Sequence, residues 1–553
     1  MKCKVYYVFL MVWSSVLFSC SNKNDVSQEI IEVSTNTPIL NSSIIKEFTA
    51  KNSARILNSI IVFTPSNGES TRTNEWGTEA IVEDNIVTHL GGNNSKIPKN
   101  GFVISGNEDG CNWINKNIYI GMQVKINNGY INCITNENTI LNYANYFIER
   151  GNKRIGSKKL TSKQKEYKNC IAQILEEFKN NRGNVNVVEN SCNNILKLAK
   201  LYSYTTFDSK DDIKGVWIRL RDKTPAELKL TVKKIAEIGF NAVLPETIYN
   251  GHVIYPSSNS SLPQMDKYKG WDPLRLLIQE CKKYDIKVIP WCEMFFVGSH
   301  NIPVFETHPE WKGMFKNGLD HSLIEENFKY MCPSRLEVHK MLLNELEYIA
   351  KNYEINGIQL DYIRYPQSVP IDKGFCYCDY CQKLVKNRYG FDIRKISPND
   401  KEEWAEWNKF RIDNVTRFVK NANSVIKSIN PGIVISADVV PDSKKSLEYK
   451  FQDWASWVKE KYLNDVYIMT YTNSKERVSE DCEILRQNTE GTNTQPIVGL
   501  GAYMKMSGFE LLEQIEIARN SGAKGVCCFA FNSMTEEQFD ALRVGCFSEK
   551  NKK

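Results

Sequence analysis

Apolar and polar positions follow three successive rhythms along this chain. Over residues 51–150 short alternating runs, "SIIVFT", "EAIVED", "NIVTHLGG", "GFVISG", "QVKINNG" and "YINCIT", are punctuated by Gly, Asn and Pro. That pattern predicts a small β-rich module. Over 151–210 the period lengthens, and "KQKEYKNCIAQILEEFKN" puts Tyr167, Ile171, Ile174, Leu175 and Phe178 near one face, as in a helical linker. From 211 to 545 short apolar strands alternate with amphipathic helices. The strands are "GVWIRL" (215–220), "NAVLPE" (241–246), "KVIPWCE" (287–293), "NGIQLDY" (356–362), "GIVISAD" (432–438), "NDVYIMTY" (464–471), "PIVGLGA" (496–502) and "KGVCCFAF" (524–531). "PAELKLTVKKIAEIG", "PLRLLIQECKKYD", "VHKMLLNELEYIAKNY" and "FELLEQIEIARNSG" are among the intervening helices. Eight strand–helix units predict an α/β fold of the (β/α)8 TIM-barrel type. An open doubly wound sheet is the alternative, but no GxGxxG or GxxxxGK[ST] accompanies it.

Composition adds little to this picture and the N-terminus adds more. The 553 residues are 42% hydrophobic and 25% charged, with a formal charge of +6 and no basic stripe, so nucleic acid is a poor partner. Lys2 and Lys4 precede the apolar run "VYYVFLMVWSSVLF", which ends at "LFSC", and residues 1–20 read as a secretory signal. The ending resembles a bacterial lipobox. That resemblance implies lipidation of Cys20, a polar tether over 21–50, and a lipid anchor in the bacterial cell envelope, at the outer membrane or cell surface. A plain cleaved signal and an uncleaved anchor are the other readings. No later run reaches the ~18 apolar residues of a spanning helix.

Catalytic groups of such a barrel gather at the C-terminal ends of its strands. Those ends carry Glu246, Trp291 and Glu293, Asp361 with Tyr362, Arg364 and Tyr365, Asp438, Tyr471, Tyr503, and Phe531 with Asn532; Tyr255 lies in the loop after the second strand. Carboxylates beside aromatic rings and an Arg suit carbohydrate: rings stack on sugar C–H faces, and glycosidic cleavage needs one protonated and one ionised carboxyl. Asp361 is the first catalytic candidate because it interrupts the apolar "GIQL" where a strand opens into a loop. Glu293, Asp438 and Glu246 compete for the second position. Each carboxylate has a structural reading too, Asp361 as a cap of the next segment or a partner of Arg364, and the other three as carboxylates hydrogen-bonded within the loop layer. Tyr255, Trp291, Tyr362, Arg364, Tyr365, Tyr471, Tyr503 and Asn532 are the expected substrate contacts.

The stretch "GFCYCDYCQK" holds Cys376, Cys378 and Cys381, and "YMCPSR" places Cys332 on the same side of the barrel. Cys-x-Cys-x2-Cys can turn its sulfurs around one ion, and closed structural zinc sites take four such ligands. A disulfide with free thiols, and reduced cysteines without metal, are the alternatives. Four thiolates leave no open position, so a zinc here is structural rather than catalytic. Of the other cysteines, Cys281, Cys292, Cys527 and Cys528 sit in apolar runs and read as buried hydrophobes.

Residues 211–545 resemble the glycosyl-hydrolase-like family 10 proteins of bacteria. The resemblance rests on "GFNAVLPETIYNGHVIYPS", "VIPWCEMFFVGS", "HPEW", "NGIQLDYIRYP", "QDWASWVKEKYLNDVYIMTY" and "PIVGLGAY", in that order. It implies a (β/α)8 barrel, export as a lipoprotein and hydrolysis of glycosidic bonds in a polysaccharide, with peptidoglycan glycan strands as a substrate. The family's Asp at the end of strand four falls on Asp361. The β-rich part is similar to a module that precedes the barrel in some relatives, either glycan-binding or packing. The four cysteines resemble the zinc site of family-42 β-galactosidases, whose catalytic Glu residues have no counterpart here. No organic cofactor is implied. The competing function is a glycan-binding lipoprotein without catalysis; an esterase lacks its Gly-x-Ser-x-Gly elbow.

Overall fold

A computed structural model of the chain describes residues 33–38, 60–73, 77–107, 109–127, 130–135, 137–180, 185–368, 374–504 and 506–548. The expected signal with Cys20, and the expected tether apart from 33–38, lie outside these residues.

The barrel forms from eight parallel strands in chain order. They are Ile213–Ile218, Ala242–Tyr249, a third in two pieces (Lys287–Val288 and Trp291–Glu293), Gly357–Asp361, Val434–Val439, Asp465–Thr470, Gln495–Leu500 and Gly525–Cys528. The eighth strand pairs with the first, and the first with the second, which closes the sheet and leaves no barrel edge open. Pro290 divides the third strand because it has no N–H. The ladder continues around it, with the Ile289 N–H donating to Val243 and the Pro290 carbonyl accepting from Gln359.

Every second residue of a strand points inward. Trp217, Leu244, Ile289, Trp291, Tyr467, Ile497 and Cys527 thereby fill the interior as one buried cluster. The Trp217 indole N–H donates to Gln359 Oε1 at 2.7 Å. Its ring needs a glycine opposite: a Cβ on Gly499 would stand 2.8 Å from it. The helices seal the outside. Pro225–Ile238 is typical: Thr224 accepts from the Glu227 N–H, Pro225 opens the first turn, and Gly239 stops the helix at φ 97°. It buries Leu228, Val232, Ile235 and Ile238, each contributing about 1.5–3 kcal/mol.

The N-terminal module is an antiparallel sheet with strands at Val33–Pro38, Ile60–Phe63, Thr78–Glu83, Ile86–Leu90, Gly101–Gly106, Gln123–Asn127 and Tyr130–Thr135. Two boundaries differ from the sequence expectation. Val33–Pro38, inside the expected tether, pairs with Tyr130–Thr135; its Val and Thr residues favour a pleated strand. The expected linker is a packed three-helix layer, Glu137–Ile155, Ser162–Asn180 and Val185–Tyr204, whose first helix begins inside the expected β module. Ile171 and Phe178 are buried, as the periodicity predicts. The layer docks on the barrel's last two helices, Gly508–Asn520 and Glu536–Val544, through Arg150–Glu513 (2.6 Å), Arg154–Glu516 (2.5 Å) and Lys200–Glu537 (2.8 Å). Among the described residues no helix is long and apolar enough to cross a membrane.

Candidate active site and cysteine centre

Inward alternation brings four carboxyl groups to the C-terminal ends of strands two to five. Glu293 is in register with Asp361, Trp291 with Glu246, and Leu360 with Ala437, so Asp438 follows beside Asp361. Neighbouring strands lie about 4.8 Å apart, and all four residues are buried. Asp361 Oδ2 accepts from the Trp291 indole N–H at 2.9 Å, and Oδ1 from the Tyr362 N–H at 2.5 Å. Burial raises the Asp361 carboxyl above its ordinary range, while these two bonds and the charges of Arg364 and Arg219 oppose the rise. Glu293 Oε2 accepts from the Asn250 N–H at 2.8 Å. Burial, and then the charge of Glu246, push its carboxyl well up. Glu246 Oε2 accepts from Arg219 Nε at 2.8 Å while Oε1 has no partner; burial pushes this carboxyl up to about 8 against the pull of Arg219. Asp438 keeps Oδ1 buried without a partner, and burial followed by the charge of Asp361 holds it well above its ordinary value. Four buried carboxyls on adjacent strands do not all ionise together. The cluster can therefore hold protonated and ionised members side by side at neutral pH, the condition for acid-assisted glycoside cleavage.

Aromatic rings line the mouth beside this cluster. Tyr471 stacks on Phe529 at 5.2 Å, and Tyr503, which is exposed, stands edge-on to both at 5.8 Å. The Arg219 guanidinium lies 5.4 Å from the Tyr249 ring, 5.5 Å from Trp291 and 5.7 Å from Phe529. Asn532 Oδ1 accepts from the Arg219 N–H at 3.0 Å. Tyr362 follows Asp361 at φ 45°, a left-handed conformation that costs about 1–3 kcal/mol in a non-glycine residue. Its ring stacks on Phe296 at 4.5 Å, with Arg364 4.8 Å from its centre.

Other expected contacts fall elsewhere. Trp291 is buried beneath Arg219, so it orients Asp361 instead of offering a stacking face. Tyr255 is fully buried; it donates to Glu345 Oε2 at 2.6 Å and packs on Tyr348 and Tyr353. The hairpin after the second strand, Tyr249 with His252, turns the chain before it reaches Tyr255. Tyr365 is also fully buried, with Ser334 Oγ 3.4 Å from its hydroxyl, and belongs to the surroundings of the cysteines. Phe531 packs against Phe539. Arg364 ion-pairs with Glu325 at 3.0 Å instead of with Asp361. Glu325 also accepts from Lys450 Nζ (3.3 Å), the Tyr330 hydroxyl (2.9 Å) and the Gln367 N–H (3.1 Å). It thereby ties together the loops after strands three, four and five. Sequence reasoning missed Glu325, Lys450, Phe529 and Arg219. Only Arg219 had a clear signal, two residues after inward-facing Trp217 on the same strand face.

The second cluster is sulfur. Cys332, Cys376, Cys378 and Cys381 are buried, and their sulfurs all lie within 4.8 Å of one another. Cys332 and Cys381 are 3.4 Å apart and Cys332 and Cys378 3.7 Å, and all four are free thiols. A tetrahedron with metal–sulfur bonds of about 2.3 Å has edges of about 3.8 Å, so the donor set fits a thiophilic divalent ion. The Met314 N–H donates to Cys376 Sγ at 3.4 Å, and Cys378 stands at the N-cap position of helix Asp379–Tyr389. Phe375 packs where a Cβ on Gly313 would collide with its ring at 1.7 Å, so only glycine fits there. Of the other described cysteines, Cys281, Cys292, Cys527 and Cys528 are buried as expected.

The family described as Glycosyl hydrolase-like 10 matches residues 212–506. The glycosyl hydrolase YngK of Bacillus subtilis (strain 168) is 22% identical over 249 residues, 40% of this chain and 44% of that protein. The chain thus spans less than half the length of that relative. Among solved structures, the PgaB (BpsB) glycoside hydrolase domain from Bordetella bronchiseptica superposes with a TM-score of 0.49 at 13% identity, covering 61% of this chain and 100% of that one. A β-galactosidase from Halorubrum lacusprofundi gives a TM-score of 0.46 at 12% identity, over 60% of this chain and 57% of that one.

Proposed function

The chain belongs to the glycosyl hydrolase-like 10 family, and from that premise we propose that it is an envelope-anchored glycoside hydrolase acting on a polysaccharide, with peptidoglycan glycan strands as the substrate. One observation carries this reading: four buried carboxyls from consecutive strands meet beside an aromatic-lined mouth. Asp361 is the ionised member, because two N–H donors and two nearby guanidinium charges favour its carboxylate. Glu293, in register with it, is the proton donor, since burial and the neighbouring Glu246 and Asp361 carboxyls favour its protonated form. Glu293 delivers its proton to the leaving glycosidic oxygen while Asp361 stabilises or attacks the electron-poor anomeric carbon. Asp438, on the other flank, is the rival donor. The "LFSC" ending supports the lipid anchor on Cys20.

Cys332, Cys376, Cys378 and Cys381 hold a structural zinc on this reading, supported by their mutual spacing and by the softness of the donors. The ion would cross-link the loops after strands three and four.

The test incubates protein lacking residues 1–20 with intact and peptide-stripped peptidoglycan and with a polysaccharide panel, and analyses the released sugars. Asp361→Asn should release none. Equal product from both proteins would remove Asp361 from the mechanism. Binding without product in the unaltered protein would favour the non-catalytic lipoprotein.

A further inference from the structure

Three arginines are deeply buried in the barrel, and two of them have a carboxylate. Arg519 pairs with Asp212 at 2.6 Å and Arg364 with Glu325 at 3.0 Å. The third, Arg411 on helix Lys401–Ile429, is the most buried at 1% exposure. No carboxylate among the described residues pairs with it. Its Nη1 donates to the Phe375 carbonyl at 3.0 Å, Nη2 to Asn408 Oδ1, and Nε has no partner. The rings of Phe451, Trp407 and Trp404 surround it at 3.8, 4.7 and 5.6 Å. Rings and neutral oxygens attract a cation but do not neutralise it, and a guanidinium does not shed its proton in a protein.

The source of the missing negative charge lies one residue beyond Phe375. Tyr377, Tyr365, Cys381 and Cys376 are the ionisable groups whose charges act most strongly on Arg411. Phenols ionise only near pH 10, so at neutral pH the sulfurs are the remaining source of negative charge. Four thiolates around a divalent ion carry two net negative charges, and a thiol gives up its proton on metal binding. The sulfurs already receive the Met314 N–H and the helix start at Cys378, both of which favour an anion.

We propose that the four-cysteine centre is a net anion, a tetrathiolate closed around a divalent cation, and that Arg411 is its built-in counter-charge. This rests on the metal-site reading above. Arg411 is then a positioning residue for a site that it never touches. It balances the charge of the centre, and through the Phe375 carbonyl it fixes the segment that delivers Cys376 and Cys378. Metal retention therefore depends on a helix outside the cysteine loops.

The experiment compares full-length wild type, Arg411→Lys and Arg411→Met in detergent. It measures zinc per chain and the rate of zinc transfer to a chromogenic chelator, with circular dichroism to confirm folding. Wild type should hold about one zinc. Arg411→Met should lose it roughly tenfold faster and Arg411→Lys within about twofold of wild type at pH 7. If Arg411→Met does not fold, Arg411→Lys decides alone. Its amine loses charge as pH rises above about 8 when buried, so zinc release should accelerate there relative to wild type. Tyr365, Tyr377 and the cysteines are common to both proteins, so a difference between the two profiles belongs to position 411. Parallel profiles, or a folded Arg411→Met that holds zinc as wild type does, would overturn the counter-charge. Metal-free wild type would overturn the metal site itself, and the counter-charge with it.

Discussion

The Trp291 indole N–H donates to Asp361 Oδ2 at 2.9 Å, between strands that are paired in register. The bond links the barrel's packed interior to the carboxyl cluster at its C-terminal end, because Trp291 is also a member of the interior cluster. Together with the Tyr362 N–H on Oδ1 it fixes the plane of the Asp361 carboxyl, and it favours the carboxylate over the acid. Trp291→Phe keeps the ring and removes the donor. The Asp361 carboxyl then rises further, and since the ionised form is the active one in the proposed mechanism, the acidic limb of kcat/KM should move up by about one pH unit. Activity should fall by up to roughly tenfold on the acidic side of the profile and by less at neutral pH. An unmoved acidic limb would mean that the bond only packs the core.

Glu246 acts on the opposite limb. Its charge is the second cause, after burial, of the raised Glu293 carboxyl. In Glu246→Gln that repulsion disappears, Glu293 ionises at lower pH, and the alkaline limb should shift downward. If Asp438 were the proton donor, Glu293→Gln would leave the alkaline limb in place and Asp438→Asn would abolish it; pH–rate profiles of the three variants separate these cases.

Glu325 holds three loops and two cations. Burial alone would raise its carboxyl, but Arg364 and then Lys450 outweigh burial and hold it down at about 2. A depressed folded-state value gives stability above the unfolded value of about 4.3, lost as pH falls toward 2. Glu325→Ala leaves Arg364 and Lys450 buried without their anion and should cost about 3 kcal/mol at pH 7 by urea unfolding, with the difference from wild type shrinking in acid.

Asp438 has the reverse linkage. Its raised folded-state carboxyl contributes stability that is complete below about pH 4 and is lost as pH rises through the folded value. Asp438→Asn removes that loss. Its melting temperature should exceed that of wild type by roughly 2–6 °C at pH 8 and converge with it near pH 4; equal melting temperatures at pH 8 would contradict the burial argument.

Metal removal tests the sulfur cluster. Prolonged chelation, or the double change Cys378→Ser with Cys381→Ser, should abolish the zinc and lower the melting temperature by several degrees. Because the same segment leads back to Asp361, turnover should fall as well. A metal-free protein with an unchanged melting curve would leave the cysteines as ordinary core residues.

Strand periodicity carried most of what could be read in advance. Each catalytic candidate ends an apolar run on the inward parity, as Glu293 does two residues after Trp291, and the eight strands lie where alternation put them. Loop residues were less legible because loops have no period. Tyr255 and Tyr365 looked like mouth residues because they follow strand ends, but a hairpin and a turn carry them into separate buried layers. Glu325 and Glu326 are adjacent acids in one loop, and nothing local marks the first as the group that meets Arg364. Cys332 could be found because its Cys-Pro turn falls on the face that three other cysteines already required.

The Val33–Pro38 strand sets a leash. A lipid on Cys20, as proposed, would be followed by only thirteen residue steps before the backbone is captured in the sheet, roughly 45 Å at full stretch. With the helical layer clamped to the barrel behind that sheet, the enzyme would patrol a shallow zone above the bilayer. Its substrate would have to come within that leash plus the span of the protein itself, which favours long polymers that sag or thread toward the membrane over small sugars diffusing at a distance.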